Sequence, residues 1–159
     1  MKTIKKILLI VIMASVHFVA NAQSNKSNEN ALLEEAKKAI AHNNAIHFNL
    51  YAKNDGSVVK LFAEDACILM PNAPALCGRE GIAKFFKDAF ETGGVRSGKI
   101  TTLNIYGDGR EFVTEEGLYQ VFDVNGKLVD DGKTLVLWKK TKDGWKDFRD
   151  SFSSNHAQK

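Results

Sequence analysis

The chain has 159 residues, with 22 Lys+Arg against 19 Asp+Glu and a formal net charge of +3. Lys2, Lys5 and Lys6 sit in the first six residues, and without that segment basic and acidic residues balance at 19 each. The basic excess that would point to nucleic acid therefore belongs to the leader rather than the body, and nucleic-acid binding is not expected.

Residues 1–22 have the pattern of a secretory signal peptide: a lysine-bearing start, an apolar run from Ile7 to Val19, and Ala20-Asn21-Ala22 as an A-x-A cleavage site. The run is shorter than the ~20 residues of a membrane span, and Gln23 follows the site where a lipoprotein would need cysteine. The expectation is an exported chain, periplasmic or secreted, cleaved near Ala22 and without a stable membrane anchor. Residues 23–30 (QSNKSNEN) are polar and read as a flexible leader. Residues 31–156 then suit one domain, with only two prolines and no repeat or linker to divide them.

Within that domain Ala31 to about Ala52 is an amphipathic helix, with Leu33, Ala36, Ile40, His47 and Leu50 at helical spacing. Asn54-Asp55-Gly56 breaks it, and Asp55 or Ser57 is placed to cap a second short helix running through Phe62. Ala66–Met70 is a strand, turned back by the Asn72–Ala75 loop. Arg79-Glu80-Gly81 opens a third helix with Ile82, Phe85, Phe86, Ala89 and Phe90 on its apolar face, ended by Gly93-Gly94.

The remainder reads as strands: Lys99–Tyr106, Glu111–Val124, Leu128–Lys140 and Trp145–Ser154, separated by glycine-containing turns. Local connections of this kind predict an antiparallel meander. Three helices followed by a long curved sheet make an α+β architecture with the helices on one, concave, face. In Thr134–Trp138 (TLVLW) both alternations are apolar, so both faces of that strand need cover. Helices supply one cover, and a second copy of the chain, in a homodimer, is expected to supply the other.

Several motifs carry a family resemblance: FAEDA (Phe62–Ala66), the hairpin exit GREGI (Gly78–Ile82), G-x-Y (Gly117, Tyr119), D-x-G-K-x-L-x-x-W (Asp130 to Trp138) and D-G-W…D-x-F (Asp143 to Phe152). Together they resemble the SnoaL-like and ketosteroid-isomerase-like branch of the nuclear transport factor 2-like superfamily. The resemblance spans most of the chain after the leader and implies a cone-shaped barrel with an internal pocket. It is specific for the fold and weak for activity, because one fold hosts many functions. In the isomerases it resembles, the general base is a carboxylate just before the hairpin proline. Here that position is Met70, before Pro71, and the second acid donor's position falls near Val136. With two of three roles unfilled, steroid isomerisation by that route is not expected.

Two residues are candidates for chemistry. His47 lies on the inward stripe of the first helix, and through the resemblance it falls near the isomerases' oxyanion tyrosine. Two roles fit it: a general base or hydrogen-bond donor to an enolate, or a core histidine bonded to a carbonyl or acid. Asp150 lies between Phe148 and Phe152 in strand alternation, which suits either a desolvated acid–base group or a structural carboxylate. A His47–Asp150 pair inside the cone is the resulting hypothesis. Tyr51, Met70, Tyr119, Trp138, Phe148 and Phe152 are the expected pocket lining.

Other patterns fail. Gly93–Lys99 (GGVRSGK) imitates a phosphate-binding loop, but Ile100 replaces the Ser/Thr and a strand follows where a helix must begin. Asp123-Val124-Asn125-Gly126 imitates a calcium loop without its closing Glu. His42 and His47 are five apart, not four, so no metal pair is expected, and no cofactor motif is present. A four-residue hairpin loop puts Met70 opposite Cys77 and Cys67 on the other face, predicting two buried free thiols. The functional expectation is a domain that binds a small apolar molecule, with acid–base chemistry at His47 and Asp150. The alternative is a non-catalytic association module whose pocket is filled by its own phenylalanines.

Overall fold

The computed structural model describes residues 29–157; the expected signal peptide, and the expected leader up to residue 28, lie outside the described residues. A long helix, α1 (residues 29–51), is followed by a 3-10 helix (Ser57–Leu61), strands β1 (Phe62–Leu69) and β2 (Leu76–Cys77), and helix α2 (Gly78–Glu91). Strands β3 (Ser97–Gly107), β4 (Phe112–Phe122), β5 (Leu128–Thr141) and β6 (Gly144–Ser154) complete one curved sheet of order β2-β1-β6-β5-β4-β3. Among the described residues no helix is long and apolar enough to cross a membrane.

Three sequence expectations need correction. The architecture is α+β, but it has two α-helices, not three. The segment after Asp55 is only a five-residue 3-10 turn, opened by an Asx turn in which Ser57 N–H donates to Asp55 Oδ1 at 2.9 Å. It stops because Phe62 is already extended and pairs with Asp147. The sheet is mixed rather than antiparallel. Strands β3 to β6 form the expected meander, while β1 joins β6 in parallel, with Ile68 opposite Asp150. Turn signals report only local hairpins, so they carry no trace of a pairing that spans some eighty residues.

The third correction concerns the cysteines. Cys67 and Cys77 face each other directly across β1 and β2, 4.0 Å apart at Cα, and form a disulfide. The expected loop was too short. Pro71 has no N–H to give a ladder, and Asn72 adopts φ 58°, so pairing begins only at Ile68–Leu76. That shift moves both side chains to one face.

Two apolar clusters hold the fold. One joins β1, the 3-10 helix and α2 through Val58, Leu61, Phe62, Ala66, Ile68 and Ile82. The other packs Ala36 and Ile40 of α1 on Val113, Val136, Trp138 and Trp145 of the sheet. Gly109 lets α1 lie close on the β3–β4 turn, because a Cβ there would meet the Leu32 backbone at 2.3 Å. The sheet face so covered carries Val113, Glu115 and Gly117 on β4 and Val136 and Trp138 on β5, all buried.

Candidate functional site

Beside the first of these clusters, which supplies Tyr51 and the packed Phe48, Phe85 and Phe86 to its wall, lies a cavity of about 290 Å³. The second half of α1 gives it His47, Phe48 and Tyr51, and α2 gives Phe85, Phe86 and Ala89. The sheet contributes Ile100, Tyr119, Val121, Thr134, Asp150 and Phe152. The wall is mostly aromatic and aliphatic carbon. Its aromatic rings brace one another: Tyr51 meets Phe86 and Phe90 edge-on, and Tyr119 meets Phe152, with centroids at 5.9, 5.7 and 5.9 Å. Gly98 makes room for this wall, because a Cβ there would fall 2.2 Å from the Phe48 ring.

Behind it lies a second, small chamber of about 40 Å³. His47, Ile100, Thr134 and Asp150 line both spaces, so they stand at the boundary. The inner chamber has a mixed lining, with Asn43, Asn44, Glu115 and Asp147 set among Leu61, Phe62, Val136 and Trp138. Glu115, 1% exposed, accepts hydrogen bonds from Trp138 Nε1 (2.9 Å), Asn44 Nδ2 (2.7 Å) and Thr102 Oγ1 (2.5 Å). Asn43 donates to the Trp145 carbonyl at 2.9 Å. Asp147 Oδ1 and Asp150 Oδ1 are buried without a hydrogen-bond partner among the described residues.

The register explains this grouping. Val136 of β5 pairs with Glu115 on one side and Asp150 on the other, and Trp138 pairs with Asp147. A bulge in β6 skips one residue between the Leu137–Arg149 and Trp138–Asp147 pairs. Alternation therefore resets, and Asp147 and Asp150 both turn inward. Phe148 is displaced by the same bulge. It lies under the Lys139 ammonium (4.7 Å) and the Arg149 guanidinium (3.7 Å), and lines neither space.

Burial without compensating charge sets the proton affinities. The His47 side chain makes no hydrogen bond among the described residues and is ringed by Phe48, Phe62 and Phe86. Burial pulls its pKa down to about 4, so it is neutral at pH 7. Burial, and then the nearby Glu115 carboxylate, push Asp150 up to about 7. Asp147 is raised well above the carboxylate range by burial, Asp150 and Glu115, in that order. Tyr51, whose hydroxyl donates to the Val95 carbonyl at 3.1 Å, is pushed up to about 12 by burial. Tyr119 donates to Asp130 Oδ2 at 2.7 Å and is raised by burial and that bond.

The residues singled out from sequence therefore divide. His47, Asp150, Tyr51, Tyr119 and Phe152 line the main cavity, and Trp138 lines the inner chamber. Met70 packs against the cluster around β1 and, like Phe148, lies outside both linings. Sequence reasoning missed Glu115, Asp147, Asn44 and Thr102. A signal existed for two of them. Asn44 interrupts the buried stripe of α1 one turn after Ile40, and Glu115 alternates with Val113, Gly117 and Tyr119 on an inward face.

No protein-family model matches the chain, and no curated protein matches it in sequence. Solved structures do match. The ketosteroid isomerase-like protein of Erwinia carotovora atroseptica aligns at TM-score 0.61 and 18% identity, over 78% of this chain and 98% of that one. A nuclear transport factor 2-like protein with a cystatin-like fold from Novosphingobium aromaticivorans aligns at 0.65 and 18%, over 85% and 91%. A nuclear transport factor 2-like superfamily protein of Salmonella enterica serovar Typhimurium aligns at 0.60 and 17%, over 80% and 96%. The chain has the nuclear transport factor 2-like, or cystatin-like, fold, with ketosteroid-isomerase-like structural neighbours at low identity.

Proposed function

We propose that this domain binds a small, largely apolar molecule in the 290 Å³ cavity, and that His47 and Asp150 perform acid–base chemistry on it. The observation that carries the reading is the cavity's inner end. There an apolar wall leads to a neutral imidazole and to a carboxyl whose pKa lies near 7. A group half-protonated at neutral pH both gives and takes a proton readily. Asp150 would serve as that group, and His47, uncharged, would donate or accept a hydrogen bond at the same ligand atom. Met70 offers no proton acceptor at the hairpin, so the chemistry would be run from β6. The volume sits at the lower edge of the ~300–1,000 Å³ usual for ligand pockets, which favours this reading over an association module with a collapsed core.

Native mass spectrometry of the mature protein from its own export compartment tests it. A reproducible small-molecule adduct, lost in His47→Ala and Asp150→Ala, is the expected result. A protein free of adduct in every preparation overturns it in favour of the association module.

A homodimer forms part of the proposal. On the sheet face away from the helices, Leu118 and Leu135 are 41% and 55% exposed, with Leu103 nearby at 49%. A second copy covering this face would account for the doubly apolar β5. Sedimentation velocity should give a dimer for the parent and a monomer for Leu135→Glu; a monomeric parent would refute the dimer.

A further inference from the structure

We infer that the inner chamber is an ammonium site, so that the ligand is an apolar molecule carrying a protonated amine. The inference rests on the reading of the main cavity as a ligand site and names the ligand's polar end. The argument is one of donors and acceptors. Three carboxyl-bearing residues, Glu115, Asp147 and Asp150, line a space of about 40 Å³, and no lysine or arginine lines it with them. Each fixed side-chain donor beside the chamber already makes at least one hydrogen bond. Trp138 Nε1, Asn44 Nδ2 and Thr102 Oγ1 all donate to Glu115, and Asn43 Nδ2 donates to a carbonyl.

Burial leaves a proton on the Asp147 and Asp150 carboxyls, and an arriving cation displaces it, so that what opens to the ligand is acceptor capacity. Among the described residues Asp147, only 6% exposed, keeps Oδ1 unpartnered, and so does Asp150. Thr134 and His47 stand at the boundary with a hydroxyl and a neutral ring nitrogen. Unpaired buried acceptors are costly, and a group bringing several donors and a positive charge relieves them together. An –NH₃⁺ head brings three donors. It is about the size of a water molecule, which occupies ~30 Å³ in the liquid, so the chamber holds it while the carbon body stays among the aromatic side chains. A ketone or ether head brings only further acceptors.

The test uses three probes on one carbon frame, 2-aminotetralin, 2-tetralol and 2-tetralone, titrated calorimetrically into the mature protein at pH 7. The amine is expected to bind at least tenfold more tightly than the alcohol and the ketone. That preference should shrink below threefold in Asp147→Asn and in Asp150→Asn. Equal or tighter binding of the ketone or alcohol by the parent protein overturns the ammonium site and leaves the apolar cavity standing. Binding of none of the three overturns both readings. A preference kept in both Asn variants places the amine elsewhere and overturns the site. Because the comparison among probes is made on the parent protein, it holds even where a variant fails to fold.

Discussion

Asp147 and Asp150 lie three residues apart on β6, yet both line the same inner chamber, because a bulge around Phe148 resets the alternation between them. An unbulged strand would bury one carboxyl and expose the other. The bulge instead concentrates two acids opposite Glu115 and sends an aromatic ring outward beneath two cations.

Stability should respond to pH through two opposed groups. Asp150 holds its proton more tightly folded than unfolded, about 7 against 3.8. Its contribution is complete below pH 3.8 and is lost as pH rises to 7, about 4 kcal/mol in all. His47 is depressed to about 4 from 6.5. Its contribution is complete above pH 6.5 and is lost as pH falls through 4, about 3 kcal/mol. The slopes oppose between pH 4 and 6.5. Urea unfolding across that range should show Asp150→Asn gaining on the parent as pH rises, and His47→Phe gaining as pH falls. Parallel curves for parent and variants would contradict both assignments.

Glu115 is expected to position Asp150 electrostatically. In Glu115→Gln the negative neighbour disappears, so the Asp150 pKa should fall from about 7 toward the carboxylate range while burial keeps it elevated. Carboxyl carbon-13 NMR titration reads this directly. The new amide N–H₂ also meets either the Trp138 N–H or the Asn44 and Thr102 donors, whichever oxygen it replaces, and stability should drop by about 2 kcal/mol.

The disulfide closes a short loop immediately before α2, whose Phe85, Phe86 and Ala89 wall the cavity. Cys67→Ser/Cys77→Ser should cost about 2–3 kcal/mol and weaken binding of an apolar probe, because α2 loses its tether to β1. Denaturant melts with and without reductant should reproduce the difference in the parent and show none in the variant. Such a bond is weakly consistent with an exported protein, since disulfides persist in oxidising compartments.

Gly98→Ala probes the cavity wall. The added methyl would fall against the Phe48 ring, so the ring must swing toward the cavity or β3 must shift. Overpacking of this kind costs about 1–3 kcal/mol. Probe affinity should fall together with stability, and a variant that loses stability but binds unchanged would place the ligand away from Phe48.

Much of the fold was legible because periodicity and turn chemistry are local. The α1 stripe from Leu33 to His47, the Phe85–Phe86 face of α2 and the four strands of the meander all follow from neighbours in sequence. His47 could be assigned inward on the same grounds. Asp150 was placed inward through a supposed alternation with Phe148 that the bulge breaks.

The sequence by itself determined the long helix α1, helix α2 and the four strands of the meander, which of their faces are apolar, and that the hairpin base position carries methionine. Those properties depend on residues within a turn or two of one another. Only the tertiary structure decided the parallel β1–β6 pairing, the register that joins Cys67 to Cys77, and the bulge that gathers Asp147 and Asp150 beside Glu115. Each is a pairing between separate segments, whose register depends on Pro71, on an extra residue in β6 and on packing across the sheet. The proton affinities follow at that level as well, because a carboxyl is moved toward pH 7 by what surrounds it in space.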